Sequence, residues 1–427
     1  MPVLRNFEEA RHALRPFYEA YKTMATGSIY TLDRIKAVLA RLGDPQDTMK
    51  VVHIAGTSGK TSTAYYAAAL LQEAGAKLVG LSVSPAIAEM NERVQCNLVP
   101  LDEATYCAEL GAFMDTVAAM GIPLTYFELK VAFAFYAFAK RKVEYAVMEV
   151  GMGGLLDGTN VVTRSDKVCI ITDIGFDHTA VLGNTLPQIA AQKAGIVQPH
   201  NDVFMYEQGT AVMRAVAERC AHTSATLHRV PPANGMALDR CKLPPYQHRN
   251  LCLASEAVSF LAQRDGLRAV TPEVLRAAAA TFIPGRMEQH NVGGKVVIFD
   301  GAHNGQKMTA FTTSLRAIYP DKPAAALVAF SRAGAERWQP TLGVLAAAAE
   351  YIIVTSFDLT PDDRLKVSLP AEDIAAQLRR IGYGSFTVEP DLAAACRLLL
   401  QRPEPVLAVT GSLYMLHDAQ LAFHLGK

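Results

Sequence analysis

Short apolar runs rich in β-branched residues alternate with longer runs of helical spacing through the first half of the chain. The short runs are typical of buried strands, and the longer runs are typical of helices that cover them. This alternation predicts a mostly parallel sheet with helices on both faces. The predicted strands are KVVHIAG, KLVGLSVS, YAVMEVG and KVCIITDIG, and the predicted helices are LDRIKAVLARLG, TAYYAAALLQEAG and LKVAFAFYAFAKRK.

The alternation is interrupted once and then restarts. Residues 222–246 carry four prolines and little periodicity, which predicts irregular structure before a helix that begins near Gln247. Further along, Gly293 and Gly294 precede a new strand, KVVIFDGAHN, and the strand-like runs LVAF, YIIVTSF and VLAVTG follow it. We therefore predict two domains, residues 1–290 and a smaller α/β unit of residues 291–427.

Composition limits the classes of protein that remain. Half of the 427 residues are apolar, and basic and acidic residues number 41 each, so no net charge attracts the protein to nucleic acid or to a membrane. The seven cysteines include no CxxC pair and indicate reduced thiols. The N-terminus does not resemble a signal peptide, and no segment reaches the roughly 20 apolar residues that span a bilayer. We expect a cytoplasmic protein.

The stretch HIAGTSGKTST, from His53 to Thr63, lies between a predicted strand and a predicted helix. Glycine turns can aim backbone N–H groups at phosphate, and the following helix adds its positive end. The strict P-loop pattern would have glycine where this chain has Ile54, so the loop is a variant. The alternative to nucleotide binding is a tight turn before a helix, with a surface lysine. The predicted nucleotide-binding residues here are Gly56, Thr57, Ser58, Gly59, Lys60, Thr61 and Ser62.

Polar residues also follow two other predicted strands. Glu149 ends one strand ahead of a glycine-rich turn and Asp157, and Asp177 and His178 follow another. Such strand ends share one edge of a parallel sheet, where a carboxylate suits magnesium. A solvated acid and a hydrogen-bonded loop histidine are the alternatives. Lys193 lies on a mostly apolar predicted helix, where a lysine is usually a surface residue that extends its ammonium group to water.

The second predicted unit repeats this arrangement in DGAHNG. Asp300, His303 and Asn304 directly follow a strand, as polar ligand-binding groups do in doubly wound sheets. The alternative is a turn in which a side chain caps the next helix.

Taken together, the motifs resemble those of the folylpolyglutamate synthase and dihydrofolate synthase family, a branch of the Mur ligases. The resemblance covers nearly the whole chain and implies a P-loop central ATPase domain followed by a smaller, Rossmann-like C-terminal α/β domain. The motifs occur in the order LDRIKAVLARLGDPQ, HIAGTSGKTST, SPAIAEMNERV, FELKVAFAFYAF, EVGMGGLLDGTNVV, DIGFDHTAVLGNTLPQIAAQKAGI, QHRN, PGRMEQ, DGAHN and TGSLYML.

The resemblance also implies roles for individual residues. Two magnesium ions would lie near Thr61, Ser84, Glu149 and His178, and a carbamylated Lys193 would be a further metal ligand. ATP would be contacted by Asn250 and Arg286, and by Asp300 and His303. Lys60, His178 and Lys193 would take part in catalysis.

The implied reaction is ATP-dependent addition of L-glutamate to a folate or pteroate carboxylate through an acyl phosphate. We expect a monomer that binds these small molecules, and no nucleic acid or membrane. Leu155, Gly305 and the loop from Phe330 to Arg337 depart from the family pattern. A ligase for a different amino acid and carboxylate is therefore an alternative. A P-loop kinase or GTPase and a non-catalytic nucleotide-binding protein are the other classes to separate.

Overall fold

The computed structural model describes residues 4–24, 31–231, 243–332, 338–359 and 366–425. The chain divides into two compact units. The first comprises Met1–Leu243 and Gln247–Thr281, and the second comprises Pro244–Tyr246 and Phe282–Lys427. No described helix combines the length and the hydropathy needed to cross a membrane.

The first unit contains an eight-stranded sheet. Its strands are β1 (Lys50–Ala55), β2 (Val79–Ser82), β3 (Gln95–Cys96), β4 (Val99–Pro100), β5 (Tyr145–Glu149), β6 (Val168–Ile171), β7 (Asp202–Tyr206) and β8 (Thr226–Val230). They lie in the order β4-β3-β2-β5-β1-β6-β7-β8. From β2 to β8 across the sheet the pairing is parallel, whereas β3 is antiparallel to both β2 and β4. The mostly parallel sheet predicted from the sequence is confirmed.

Ten helices accompany these strands within the described part of the chain up to Thr281. They are α1 (Phe7–Met24), α2 (Asp33–Arg41), α3 (Lys60–Glu73), α4 (Glu103–Ala119), α5 (Tyr126–Lys140), α6 (Thr179–Leu182), α7 (Leu186–Ala194), α8 (Thr210–His222), α9 (Pro245–Asp265) and α10 (Pro272–Ala279). Two of them begin with a reciprocal capping box, Thr125 with Glu128 at α5 and Thr185 with Gln188 at α7. Each box satisfies helix N–H groups that have no partner within the helix.

The prediction of irregular structure over residues 222–246 is wrong for Thr226–Val230, which forms β8 beside β7. Only Val230 of this edge strand is buried, so the sequence lacks the apolar alternation by which a strand is recognised. Residues 232–242 of the same segment lie outside the described residues. The following helix, α9, begins at Pro245, two positions before the predicted start.

The second unit contains a six-stranded sheet and a short two-stranded one. Its strands are β9 (Glu288–Val292), β10 (Lys295–Phe299), β11 (Ala324–Val328), β12 (Tyr351–Val354), β13 (Asp358–Leu359), β14 (Lys366–Val367), β15 (Phe386–Val388) and β16 (Val406–Thr410). Its helices are α11 (Gly305–Ile318), α12 (Trp338–Ala346), α13 (Ala371–Arg380), α14 (Leu392–Gln401) and α15 (Leu416–Ala422).

The larger sheet of this unit has the order β15-β12-β11-β16-β10-β9, and its pairs are parallel except for β9 with β10. The predicted domain boundary after residue 290 falls within β9, which belongs to the second unit. The assignment of ATP binding to the first domain and of ligation to the second stays a prediction.

Candidate active site

The glycine-containing loop at residues 56–59 joins β1 to α3, and β1 lies between β5 and β6 in the parallel sheet. The carboxyl ends of all three strands therefore meet at one edge. Gly59 has φ +88°, and a Cβ atom there would lie 2.5 Å from Asn250 Oδ1. A Cβ at Gly56 would lie 1.8 Å from Thr172 Oγ1. The loop thus requires glycine at both positions, for close approach as well as for conformation.

Two amides of this loop are bound within the protein. Thr57 N and Ser58 N donate to the carbonyl oxygen of Asp173, at 2.8 and 3.2 Å. The Thr57 hydroxyl donates to Gly175 O at 3.0 Å and accepts from Gly175 N at 3.1 Å. The N–H groups of Thr57 and Ser58 therefore brace the loop, and phosphate contacts are expected from the N-terminus of α3, at Lys60, Thr61 and Ser62.

Two lysines reach the same carbonyl oxygen of the loop. Lys60 Nζ donates to Gly56 O at 3.1 Å, and Lys193 Nζ donates to it at 2.7 Å. Lys193 is only 3% exposed, so the interpretation of this residue as an ordinary surface lysine is wrong. The fold of α7 against the loop places a second ammonium group beside the predicted phosphate position.

Glu149, at the end of β5, is buried and accepts hydrogen bonds from two predicted site residues. Thr61 Oγ1 donates to Glu149 Oε1 at 2.9 Å, and Ser84 N donates to Oε2 at 3.0 Å. Three of the five predicted metal ligands therefore meet. Carboxylate and hydroxyl oxygens are the ligands that Mg²⁺ prefers, and it commonly takes few of them from the protein. The residues present fit that ion.

His178 occupies a different environment. Its side chain is half exposed, and its Nε2 lies 3.7 Å from Oδ1 of the buried Asp177. Within the described residues, no three His, Cys, Asp or Glu side chains form a metal-binding group. The predicted metal role of His178 stays a prediction.

A buried polar chain behind the glycine-rich turn was not predicted. The Asp157 carboxylate accepts from Gly151 N, Met152 N and Thr159 N, each at 3.0 Å, and from Thr159 Oγ1 at 2.6 Å. Thr159 Oγ1 in turn lies 2.8 Å from His53 Nε2. Because the hydroxyl donates to Asp157, it accepts from His53. The sequence signal was a histidine within the apolar run of β1.

Burial is the main influence on the protonation of Asp157 and His53. It raises the pKa of Asp157, against the hydrogen bonds that lower it. It lowers the pKa of His53 well below the usual value, and the nearby positive charge of Lys167 lowers it further. His53 is therefore a neutral hydrogen-bond donor at physiological pH.

In the second unit, Asp300 is buried and its carboxylate is held by three donors. Tyr246 OH donates to Oδ2 at 2.6 Å, Met287 N donates to Oδ2 at 2.9 Å, and Ala302 N donates to Oδ1 at 2.9 Å. Burial raises the pKa of Asp300, and the Tyr246 hydroxyl opposes that change. Tyr246 was not predicted, and only its position just before the QHRN motif pointed to it.

The other predicted residues of this unit lie around Gly301. His303 Nδ1 donates to Gly301 O at 2.8 Å, and Lys307 Nζ lies 3.1 Å from His303 Nε2. A Cβ at Gly301 would lie 3.2 Å from Nη1 of Arg286. Asn304 caps α11 through its Oδ1, which accepts from Lys307 N at 2.9 Å. The helix-capping interpretation is therefore correct for Asn304.

A cleft of about 410 Å³ lies beside β13 and β14 in the second unit. Its lining includes Arg332, Asp358 and Asp391. Arg332 belongs to the loop from Phe330 to Arg337 that departs from the family pattern, of which residues 333–337 lie outside the described residues.

Known families match both units. Residues 54–238 match the Mur ligase middle domain, and residues 285–413 match the Mur ligase glutamate ligase domain. The chain therefore belongs to the Mur ligase family, in agreement with its two α/β units and its phosphate loop.

Particular relatives extend over nearly the whole length. The dihydrofolate synthase/folylpolyglutamate synthase of Bacillus subtilis (strain 168) is 29% identical over 416 residues, 91% of this chain and 93% of the relative. The dihydrofolate synthetase of Saccharomyces cerevisiae is 29% identical over 90% of this chain and 95% of its own. The structure of Mycobacterium tuberculosis folylpolyglutamate synthase complexed with ADP and AMPPCP has a TM-score of 0.80 and 25% identity, covering 98% of both chains. The resemblance predicted from the motifs is confirmed.

Proposed function

We propose that this chain is an ATP-dependent ligase that adds L-glutamate to a folate-type carboxylate and releases ADP and phosphate. The acceptor would be dihydropteroate, a reduced folate or both. The observation that carries the proposal is the buried Glu149 carboxylate, bonded to the hydroxyl of Thr61 directly after Lys60. The relatives that match along more than 90% of their length carry the names of this activity.

The residues around the loop would divide phosphate binding and metal binding between them in this reaction. The N-terminus of α3 and the Lys60 ammonium group would bind the outer phosphates of ATP and offset the charge that develops during transfer. The acceptor carboxylate attacks the γ-phosphate, and the amine of glutamate then displaces phosphate from the acyl phosphate to form the amide. Glu149, Thr61 and Ser84 would hold magnesium, which supplies charge neutralisation when bound.

We propose that Lys193 is carbamylated and then serves as a metal ligand. Its ammonium group shares the Gly56 carbonyl oxygen with Lys60, so two positive charges are directed at one acceptor. Addition of CO₂ to the deprotonated amine, with loss of a proton, would give a carbamate that could bind a second magnesium ion together with His178. Intact-mass and peptide-mass measurements with and without bicarbonate test this modification.

We also propose that the enzyme is a cytoplasmic monomer whose ligands are ATP, glutamate and the acceptor, rather than nucleic acid or membrane. The balanced charge supports only the expectation that nucleic acid and anionic membranes are not ligands. Light scattering after size exclusion, with and without ADP, tests the oligomeric state.

The experiment is phosphate release from magnesium ATP and L-glutamate with dihydropteroate, with tetrahydrofolate, or without acceptor, followed by product masses. We expect acceptor-dependent release and a product that has gained one glutamyl residue. The variant Lys60→Ala should lose turnover with an unchanged melting temperature, because the ammonium group acts on phosphate.

Phosphate release without an acceptor is transfer to water and would instead favour a P-loop nucleotide hydrolase of the GTPase class. If ADP binds but neither acceptor is extended, the folate assignment is wrong. The exposed Leu155, which replaces an arginine of the family pattern, is then the first position to examine for another carboxylate substrate.

A further inference from the structure

We propose that Arg249 is a positioning residue that fixes the nucleotide phosphate loop through the Asp173 carboxylate. The inference rests on the proposed function, because it concerns how the loop at residues 56–59 is kept ready for phosphate. Arg249 lies in α9, next to Asn250, and Asp173 lies directly after β6. Neither side chain has been given a role in the reaction.

The Arg249 guanidinium and the Asp173 carboxylate form a bidentate ion pair, with two parallel hydrogen bonds. Arg249 Nε lies 3.0 Å from Asp173 Oδ2, and Nη2 lies 2.7 Å from Oδ1. The guanidinium carbon lies 4.0 Å from the ring centre of Tyr206, whose hydroxyl donates to Arg249 O at 2.9 Å. Two parallel charge-assisted bonds and a ring beneath the guanidinium define both the position and the orientation of Asp173.

Asp173 transmits that position to the phosphate loop. Its carbonyl oxygen accepts from Thr57 N and Ser58 N, so a movement of Asp173 moves both residues. Asn250 lies close against the loop at Gly59, since a Cβ added there would be 2.5 Å from Asn250 Oδ1. Arg249 and Asn250 are consecutive residues of α9. One helix therefore approaches the loop directly at Gly59 and, through Asp173, is linked to Thr57 and Ser58.

The ion pair is partly exposed, with 37% of the Arg249 side chain and 28% of the Asp173 side chain accessible. A pair of that exposure contributes little to global stability. Its removal should therefore loosen the loop and weaken nucleotide binding while the fold persists.

A matched control exists in the same unit. Arg164 also forms a bidentate ion pair, with Nε 2.8 Å from Asp166 Oδ1 and Nη2 2.7 Å from Oδ2, and the two side chains are 32% and 35% exposed. Arg164 has no contact with residues 56–59 among the contacts of the described residues. Arg164→Met thus removes a similar ion pair without touching the loop.

The test is calorimetric titration of magnesium ADP into wild type, Arg249→Met, Arg249→Lys, Asp173→Asn and Arg164→Met, together with melting temperatures. We expect about tenfold weaker binding for Arg249→Met and for Asp173→Asn, the loss of one charge-assisted interaction. Arg249→Lys should recover part of the affinity, because lysine keeps the charge but not the bidentate geometry. Arg164→Met should bind as wild type does. In turnover, the KM for ATP should rise more than kcat falls.

The double variant Arg249→Met/Asp173→Asn should bind no more weakly than either single variant, since both remove the same link. Wild-type affinity in Arg249→Met overturns the proposal, as does an equal loss in Arg164→Met. These results leave the proposed function intact. Failure of the wild type itself to bind ADP would instead remove the proposed function, and with it the premise of the inference.

Discussion

At the scale of single residues, the site depends on buried polar groups that satisfy one another. Asp157 is buried, and four donors to its carboxylate offset the loss of hydration. Two of the donors are the amides of Gly151 and Met152, just after Glu149, the proposed metal ligand. His53 completes the chain from β1. We infer that the hydrogen bonds linking His53, Thr159 and Asp157 hold the glycine-rich turn in place behind Glu149.

Thr159→Val should lower the free energy of unfolding by about 1–3 kcal/mol, because it leaves the buried Asp157 and His53 without their shared hydroxyl. Thr159→Ser keeps the hydroxyl and should lose less. Urea denaturation at neutral pH measures both. Equal stability of the valine and serine variants would show that the hydroxyl does not matter.

At the scale of elements, the candidate site is formed by residues at the ends of four neighbouring parallel strands, β2, β5, β1 and β6. The strands β1, β2, β5 and β6 could be predicted because each is a short apolar run. The edge strands β8 and β9 could not, because most of their side chains are not buried and no apolar pattern marks them. The buried strand β7 was also not predicted, so the prediction found most but not all of the covered strands and missed these open edges.

The same reasoning explains which site residues were found. Glu149 ends a strand, and Lys60 and Asp300 come soon after strands, and that local feature is visible in one sequence. Arg249 and Asp173 are 76 positions apart, and His53 and Thr159 are 106 apart. Such pairs arise from the three-dimensional arrangement of elements, which spacing along one sequence does not reveal.

Gly56→Ala should abolish ADP binding, because the added methyl group would collide with Thr172, including its backbone nitrogen at 3.2 Å. The displaced backbone should also lower stability by about 1–3 kcal/mol. Gly343→Ala is the control, since that residue lies in α12 and, apart from the helix backbone, no described atom lies within 4 Å of the added carbon. Calorimetry and thermal unfolding would measure both variants. Normal ADP binding by Gly56→Ala would contradict the assigned loop geometry.

At the scale of the whole molecule, a fully buried lysine affects the stability of the fold. Lys167 is 0% exposed, and its Nζ donates to Val162 O and Ile196 O, each at 2.8 Å. Burial lowers its pKa from 10.5 to about 8. The unfolded chain therefore binds this proton more tightly than the folded chain does. The cost of burial is present in full below pH 8 and decreases as the pH rises toward 10.5.

The free energy of unfolding of the wild type should therefore increase relative to Lys167→Met between pH 7.5 and 9.5, by about 2 kcal/mol. The difference between the two proteins cancels the titration of other groups. Urea denaturation at several pH values in this range would measure it. A constant difference would mean that Lys167 titrates alike in the folded and unfolded chains.

The division of the chain into units has a consequence for attempts to dissect it. The backbone enters the second unit briefly at Pro244–Tyr246, returns to the first, and leaves it for good after Thr281. No single cleavage of the backbone can therefore release two complete halves. A fragment ending at Thr281 would carry away Tyr246, and the remaining fragment would keep Asp300 buried without its phenol donor. Co-expression of the two fragments, rather than either alone, is the way to recover a native Asp300 environment.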